Sequence, residues 1–268
     1  MFENVIIIAG VPRSGTSWLG EIINSSPNVA YRFQPMFSYA FKDFVNIESR
    51  RDDYESFFKG IYKSSDDFLL QKDKRESGIY PVFHKKDDPR FLAFKMCRYQ
   101  YLIRQMLYYF GNVKLLGIIR HPCAAINSWL RNPREFPQES DPRKEWRYGA
   151  CKNKGREEEF FGFYKWKEVA HLYLDLKEKY PQKVFVIKYE ALVDSPLEIS
   201  KQFFDFVGLE FTEQTEAFLE KCHSINIDSP YAVFKNKTVK ERWQSELAPS
   251  IADEIIEDIK DTRLARFL

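Results

Sequence analysis

The stretch that decides the fold is Gly10-Val11-Pro12-Arg13-Ser14-Gly15-Thr16-Ser17-Trp18-Leu19, which directly follows Asn4-Val5-Ile6-Ile7-Ile8-Ala9. The six preceding residues are a nearly unbroken apolar run, the pattern of a strand buried on both faces. Beyond the loop, Leu19, Ile22 and Ile23 recur at helical spacing, which predicts a helix over residues 17–24. A glycine-rich turn between strand and helix aims several backbone N–H groups at one point, and the helix N-terminus adds partial positive charge. Arg13 supplies a full charge, and Ser14, Thr16 and Ser17 supply hydroxyls. The stretch therefore reads as an anion site, phosphate above all.

Gly10 and Gly15 match the frame of a nucleoside triphosphate loop, G-x-x-x-x-G-K-[ST], but the lysine slot holds Thr16 and the basic residue is Arg13. A triphosphate loop needs that lysine to reach the outer phosphates, and an acid after another strand to hold magnesium. The best second strand, residues 114–119 (KLLGII), runs instead into Arg120-His121-Pro122. Both departures weigh against a P-loop kinase of small molecules, which stays the alternative enzyme class at this level.

Two further runs, residues 91–94 (FLAF) and 183–187 (KVFVI), also read as buried strands, each followed by helical patterning. Such alternation implies an α/β fold with a parallel sheet. Helices are expected over residues 157–179, ended by Pro181, and over residues 196–207, with Pro196 in the first turn and Gly208 as cap. Residues 47–90 are dense in charge and aromatics, and residues 131–156 hold several prolines and many charges. Both are expected to lie at the periphery as cap segments over a cleft. No linker divides the chain, so residues 1–268 are expected to form a single domain.

The bulk composition limits the function classes. With 268 residues, 44% hydrophobic and 30% charged, the chain can bury a full core. A net charge of +2 makes no case for nucleic acid, so an anion site must be local. Aromatics at 16% suggest an aromatic-lined cleft. The four cysteines at 97, 123, 151 and 222 form no C-x-x-C pair, which argues against zinc and suits a reducing compartment. No apolar run approaches the length of a membrane span. A cytoplasmic protein without a transmembrane segment is the expectation.

PRSGTSW resembles the 5′-phosphosulfate loop of the sulfotransferases, which use 3′-phosphoadenosine-5′-phosphosulfate (PAPS). Those enzymes carry a basic residue at the place of Arg13, and a strand ending in Arg with a Ser eight residues later; KLLGIIRHPCAAINSWL supplies Arg120 and Ser128 at that spacing. VFVIKYEALVDSPLEISKQFFDFVGL resembles their third segment, and KNKTVKERWQSEL their last basic loop. The resemblance implies a three-layer fold like that of P-loop NTPases, a central parallel sheet flanked by helices. It implies PAPS as sulfuryl donor, adenosine 3′,5′-bisphosphate (PAP) as product and no required metal. Arg13, Ser14, Gly15, Thr16 and Ser17 would surround the 5′-phosphosulfate. Arg120 and Ser128 would hold the 3′-phosphate, Trp18 and Tyr189 would flank the adenine, and Lys237 and Arg242 would close over the phosphates. The acceptor would be a hydroxyl of a small molecule, carbohydrate or glycolipid.

The catalytic assignments are Arg13 on the leaving phosphate and Lys95, at the end of the FLAF strand, on the sulfonate. The base is the weak point of the pattern. Soluble members use a histidine where this chain has Cys97, and carbohydrate-type members use a glutamate where it has Gln34, which cannot accept a proton. Gln34 is therefore assigned to acceptor binding, and either His84, histidine being the residue type that changes charge near neutrality, or another acid serves as the base, unless the hydroxyl needs little base help. A nucleotide-binding relic without catalysis is the non-enzyme alternative.

Overall fold

The apolar run Asn4–Ala9 forms β1, the middle strand of a five-stranded sheet in the computed structural model, which describes residues 2–156, 159–224 and 240–268. Its partners are β2 (Val29–Arg32), β3 (Phe91–Met96), β4 (Val113–Ile119) and β5 (Val184–Lys188), in the order β2-β3-β1-β4-β5. Every pairing is parallel. The register sets Ala9 beside Met96 on one side and Gly117 on the other, so the carboxyl ends of the strands share one rim. In an open parallel sheet, ligands bind outside those carboxyl ends.

The helices are α1 (Thr16–Asn24), α2 (Arg51–Lys63), α3 (Asp67–Leu70), α4 (Lys72–Glu76), α5 (Ile103–Tyr109), α6 (Pro122–Leu130), α7 (Pro142–Glu145), α8 (Phe163–Lys179), α9 (Tyr189–Asp194), α10 (Pro196–Val207), α11 (Glu213–Ser224), α12 (Trp243–Glu246) and α13 (Pro249–Ile259). They cover both faces of the sheet, because β1 sends alternate side chains to opposite sides. Val5, Ile7 and Ala9 join a core with α2, α5, α6, α8 and α13. Ile6 and Ile8 join a second core with α1, α9, α10 and α11. Each buried aliphatic side chain contributes about 1.5–3 kcal/mol, so a strand that is apolar on both faces is stable only between two helical layers. The result is the three-layer, P-loop-like α/β architecture that the sequence implies.

Four expectations need correction. The edge strand β2 is absent from the sequence reading; only four residues long and ending in Arg32, it lacks the apolar run that marks the other strands. Helix α8 starts at Phe163, not 157, because Gly162 adopts a φ of 89° just before it. Residues 47–90 are not wholly peripheral: α2 turns Tyr54, Phe57, Phe58 and Ile61 into the core, where Phe57 and Phe58 meet Phe94. Residues 131–156 are likewise pinned, by buried Phe136 and Trp146. Helix α10 runs from Pro196 to Val207 and stops at left-handed Gly208, as its sequence specifies.

Candidate active site

The loop between β1 and α1 lies on the rim with its backbone folded for an anion. Arg13 and Gly15 both take left-handed conformations, with φ of 69° and 91°. Helix α1 starts at Thr16, and no side chain caps its first amides. Those N–H groups are available to a ligand, and their dipoles favour negative charge. Ser14 is fully buried, and its hydroxyl has no hydrogen-bond partner among the described residues. A buried hydroxyl without a partner costs about 1–3 kcal/mol, a cost that a bound oxyanion would offset. A β-carbon at Gly15 would come within 2.5 Å of the Tyr189 ring. Glycine thus serves here both for its φ and for the close approach of α9.

Arg13 and Arg120 meet across this loop. The Arg13 Nε donates to Ser128 Oγ at 3.1 Å, while Arg120 Nη1 donates to the Arg13 carbonyl at 3.0 Å. Arg120 is 5% exposed, and its guanidinium lies 4.8 Å from the centre of the Tyr189 ring. Burial lowers its pKa, partly offset by Tyr189 and Glu190. Its position is fixed from behind, since the Trp166 indole N–H donates to its carbonyl at 2.9 Å. Trp18, on the first turn of α1, sets its ring edge-on to Tyr189, centroids 6.4 Å apart. Arg13, Arg120, Ser128, Trp18 and Tyr189 therefore converge, although they come from β1, β4, α6, α1 and the end of β5.

Lys95 ends on the other side of the loop. Its ammonium donates to Ser17 Oγ at 2.9 Å and stands 4.6 Å from the Phe33 ring centre. Burial pushes its pKa down, while Cys97 and Glu135 pull it partly back. The Thr16 hydroxyl, in the former lysine slot, lies 3.5 Å from Cys97 Sγ. Gln34 follows Phe33 in a left-handed turn, φ 44°, and its side-chain oxygen is buried with no partner among the described residues.

The C-terminal segment reaches the same rim. Trp243 stacks on His121, ring centroids 4.6 Å apart, and Asn127 donates to Glu246 at 2.8 Å. Arg242 precedes Trp243 and acts electrostatically on Arg120. Lys237 lies outside the described residues. Burial, then Lys188 and Arg120, lower the His121 pKa to about 4, so its ring is neutral in the stack.

His84 is not brought to the site. It is exposed, and its backbone pairs with Gln214, whose amide also reaches the Ser25 carbonyl just past the end of α1. Nine residues of helix separate that end from the loop, roughly 13 Å at 1.5 Å per residue. The base assignment to His84 is therefore corrected.

Two acids carry no local sequence signal. Glu135, in the proline-rich segment after α6, places Oε1 3.8 Å from Arg13 Nη1. Glu190, one residue past Tyr189, accepts the His121 backbone N–H at 2.9 Å. Only their partners, more than sixty residues away in the chain, reveal them.

Comparison with known proteins assigns the class. Residues 5–213 match the model of the sulfotransferase family, and the chain belongs to that family. It is thus an enzyme of sulfuryl transfer. Among solved structures it is similar to mouse sulfotransferase SULT7A1 complexed with PAP, at 15% identity over 99% of this chain and 88% of that one, TM-score 0.56. It is also similar to retinol dehydratase in complex with androsterone and inactive cofactor PAP, at 13% identity over 98% and 83%, TM-score 0.58. The sulfotransferase domain of the curacin biosynthetic pathway matches at 15% identity over 97% and 98%, TM-score 0.55. These likenesses show the fold. No curated protein matches the chain in sequence.

Proposed function

We propose that the protein transfers the sulfuryl group of PAPS to a hydroxyl of a small-molecule, carbohydrate or glycolipid acceptor. The observation that carries this reading is the junction of two cationic pockets, Arg13 at the loop and Arg120 beneath Tyr189, joined by a hydrogen bond at 3.0 Å. A donor with phosphate at both ends of an adenosine matches that pair. The unpartnered Ser14 hydroxyl and the uncapped α1 amides fit its 5′ end. Arg120, Ser128 and Arg242 fit its 3′-phosphate, and Trp18 and Tyr189 its adenine. PAP in two of the similar structures supports the same donor.

When bound, PAPS supplies the sulfuryl group and a bisphosphate leaving group. Arg13 would hold the leaving phosphate, to whose oxygens its guanidinium can donate two parallel hydrogen bonds. Lys95, tied to Ser17 and backed by Phe33, presents a cation where charge shifts during transfer. Burial of these groups strengthens their field, since water competes little there. Gln34 and Phe33 form the acceptor side, with the 47–90 and 131–156 segments as its cap. All four cysteines stand as thiols, and among the described residues no helix is long and apolar enough to cross a membrane; both support a cytoplasmic place.

Titration of PAP against ADP tests the donor. PAP binds more tightly and independently of magnesium on this reading. Tighter ADP binding that magnesium strengthens overturns it. Radiolabelled transfer from PAPS to a panel of sugars, glycolipids and phenols then separates acceptor classes.

A further inference from the structure

Transfer to a hydroxyl requires a place for its proton, and the positions at which a base is expected hold Gln34 and Cys97. Gln34 cannot take a proton, and Cys97 is 4% exposed behind Thr16. The acids near the rim differ in what holds them. Glu21 is 1% exposed, and its oxygens receive Arg75 at 2.9 and 3.1 Å and Asn24 at 2.9 Å. Glu190 serves the His121 amide on the Arg120 side. Glu135 is placed otherwise, over Arg13 and within the field of Lys95, with its side chain 17% exposed. Its backbone is fixed to the end of α6: its N–H donates to the Asn132 carbonyl at 2.9 Å, and the Trp129 indole N–H donates to its carbonyl at 3.4 Å. The neighbouring Phe136 packs edge-on against Trp129, centroids 5.3 Å apart. A carboxylate on a fixed backbone, partly open to solvent and beside Arg13, stands where the donor reading puts the reacting groups.

We propose that Glu135 is the general base. The acceptor O–H bond breaks and its proton passes to a Glu135 carboxylate oxygen. The electron pair of that bond forms the new oxygen–sulfur bond. The bond between sulfur and the bridging oxygen of the donor breaks, and its pair stays on the bisphosphate, opposite Arg13. This assignment rests on the donor reading above, and it moves the base from His84, before β3, to the segment after α6.

The test separates the two readings by combining binding with turnover. PAP is titrated calorimetrically into the parent protein and Glu135→Gln. Conversion of PAPS to PAP is followed with water alone and with 2-naphthol as acceptor. Glu135→Gln binds PAP as tightly as the parent or more so, while conversion falls about 100-fold, within the usual span for a positioned base. Conversion within threefold of the parent overturns the proposal. So does a loss of PAP affinity as large as the loss of conversion, which would mean that Glu135 only holds Arg13. A parent that binds PAP yet leaves PAPS intact with both acceptors overturns the base assignment and spares the donor reading. A parent that does not bind PAP overturns the donor reading first. If Glu135→Gln fails to fold, Glu135→Asp decides: intact PAP binding with about tenfold slower conversion supports the proposal, and unchanged conversion overturns it.

Discussion

The two sides of the rim are built differently. The donor side is assembled from the ends of β1, β4 and β5, each held in register by a parallel neighbour. Arg120 is buried, braced by Trp166 and covered by Tyr189. The side proposed for the acceptor consists of the turn after β2, short helix α4 and the segment after α6, with β2 at the sheet edge. A fixed donor side suits a ligand common to a whole family. An acceptor side made of turns allows the acceptor to change without disturbing the nucleotide, which is also why the acceptor is the harder ligand to name.

Besides the Glu135–Arg13 pair, a buried ion pair joins α4 to α1. Arg75 of α4 holds Glu21 of α1 through two contacts, at 2.9 and 3.1 Å, with Glu21 1% exposed. Arg75→Ala strands that carboxylate and is expected to cost about 3 kcal/mol of stability, at the low end for a broken buried pair because Asn24 still donates to it. In a chain of this size that corresponds to roughly 6–10 °C in Tm. A thermal scan showing an unchanged Tm would mean that the two sides are stabilised independently. Next in size, Arg120→Ala should weaken PAP binding by about 1.5–3 kcal/mol, roughly 10- to 150-fold, and leave acceptor KM near the parent value. Equal PAP affinity in mutant and parent would remove Arg120 from the donor side.

The smallest effect concerns His121. Its folded pKa, about 4, lies below the ordinary value of 6.5, so the unfolded chain binds its proton first as pH falls. The stability it contributes is complete above pH 6.5 and is lost as pH drops toward 4. The expected fall in Tm between pH 7 and pH 5 is a few degrees, and shallower in His121→Phe, which keeps a ring against Trp243. Parallel pH slopes in the two proteins would contradict a buried neutral histidine.

The same division governs what the sequence discloses. Strands β1, β3 and β4 are legible because burial on both faces forces apolar runs, edge strand β5 because four of its five residues are apolar all the same, and α10 because Pro196 and Gly208 bracket it. The residues that converge at the rim, Arg13, Trp18, Arg120, Ser128 and Tyr189, are legible because short contiguous segments at a loop and two strand ends carry them. Strand β2 is not, since an edge strand of four residues ending in Arg32 needs no such run. The buried stripe of α2, Tyr54, Phe57, Phe58 and Ile61, has helical spacing but is masked by the charges between. Glu135 and Arg13 meet across 122 positions of chain, and no local pattern encodes such a meeting.

Among the described residues five non-glycines have left-handed backbones, and three of them follow β1, β2 and β3 on the rim: Arg13, Gln34 and Tyr99. Each such conformation costs on the order of 1 kcal/mol. Glycine at Arg13 or Gln34 would relax the backbone while deleting a side chain that the proposed function uses. A laboratory evolution campaign selecting only for heat resistance would therefore be drawn to these two positions, and on that reading the thermostable proteins it returned there would be the ones that had stopped working.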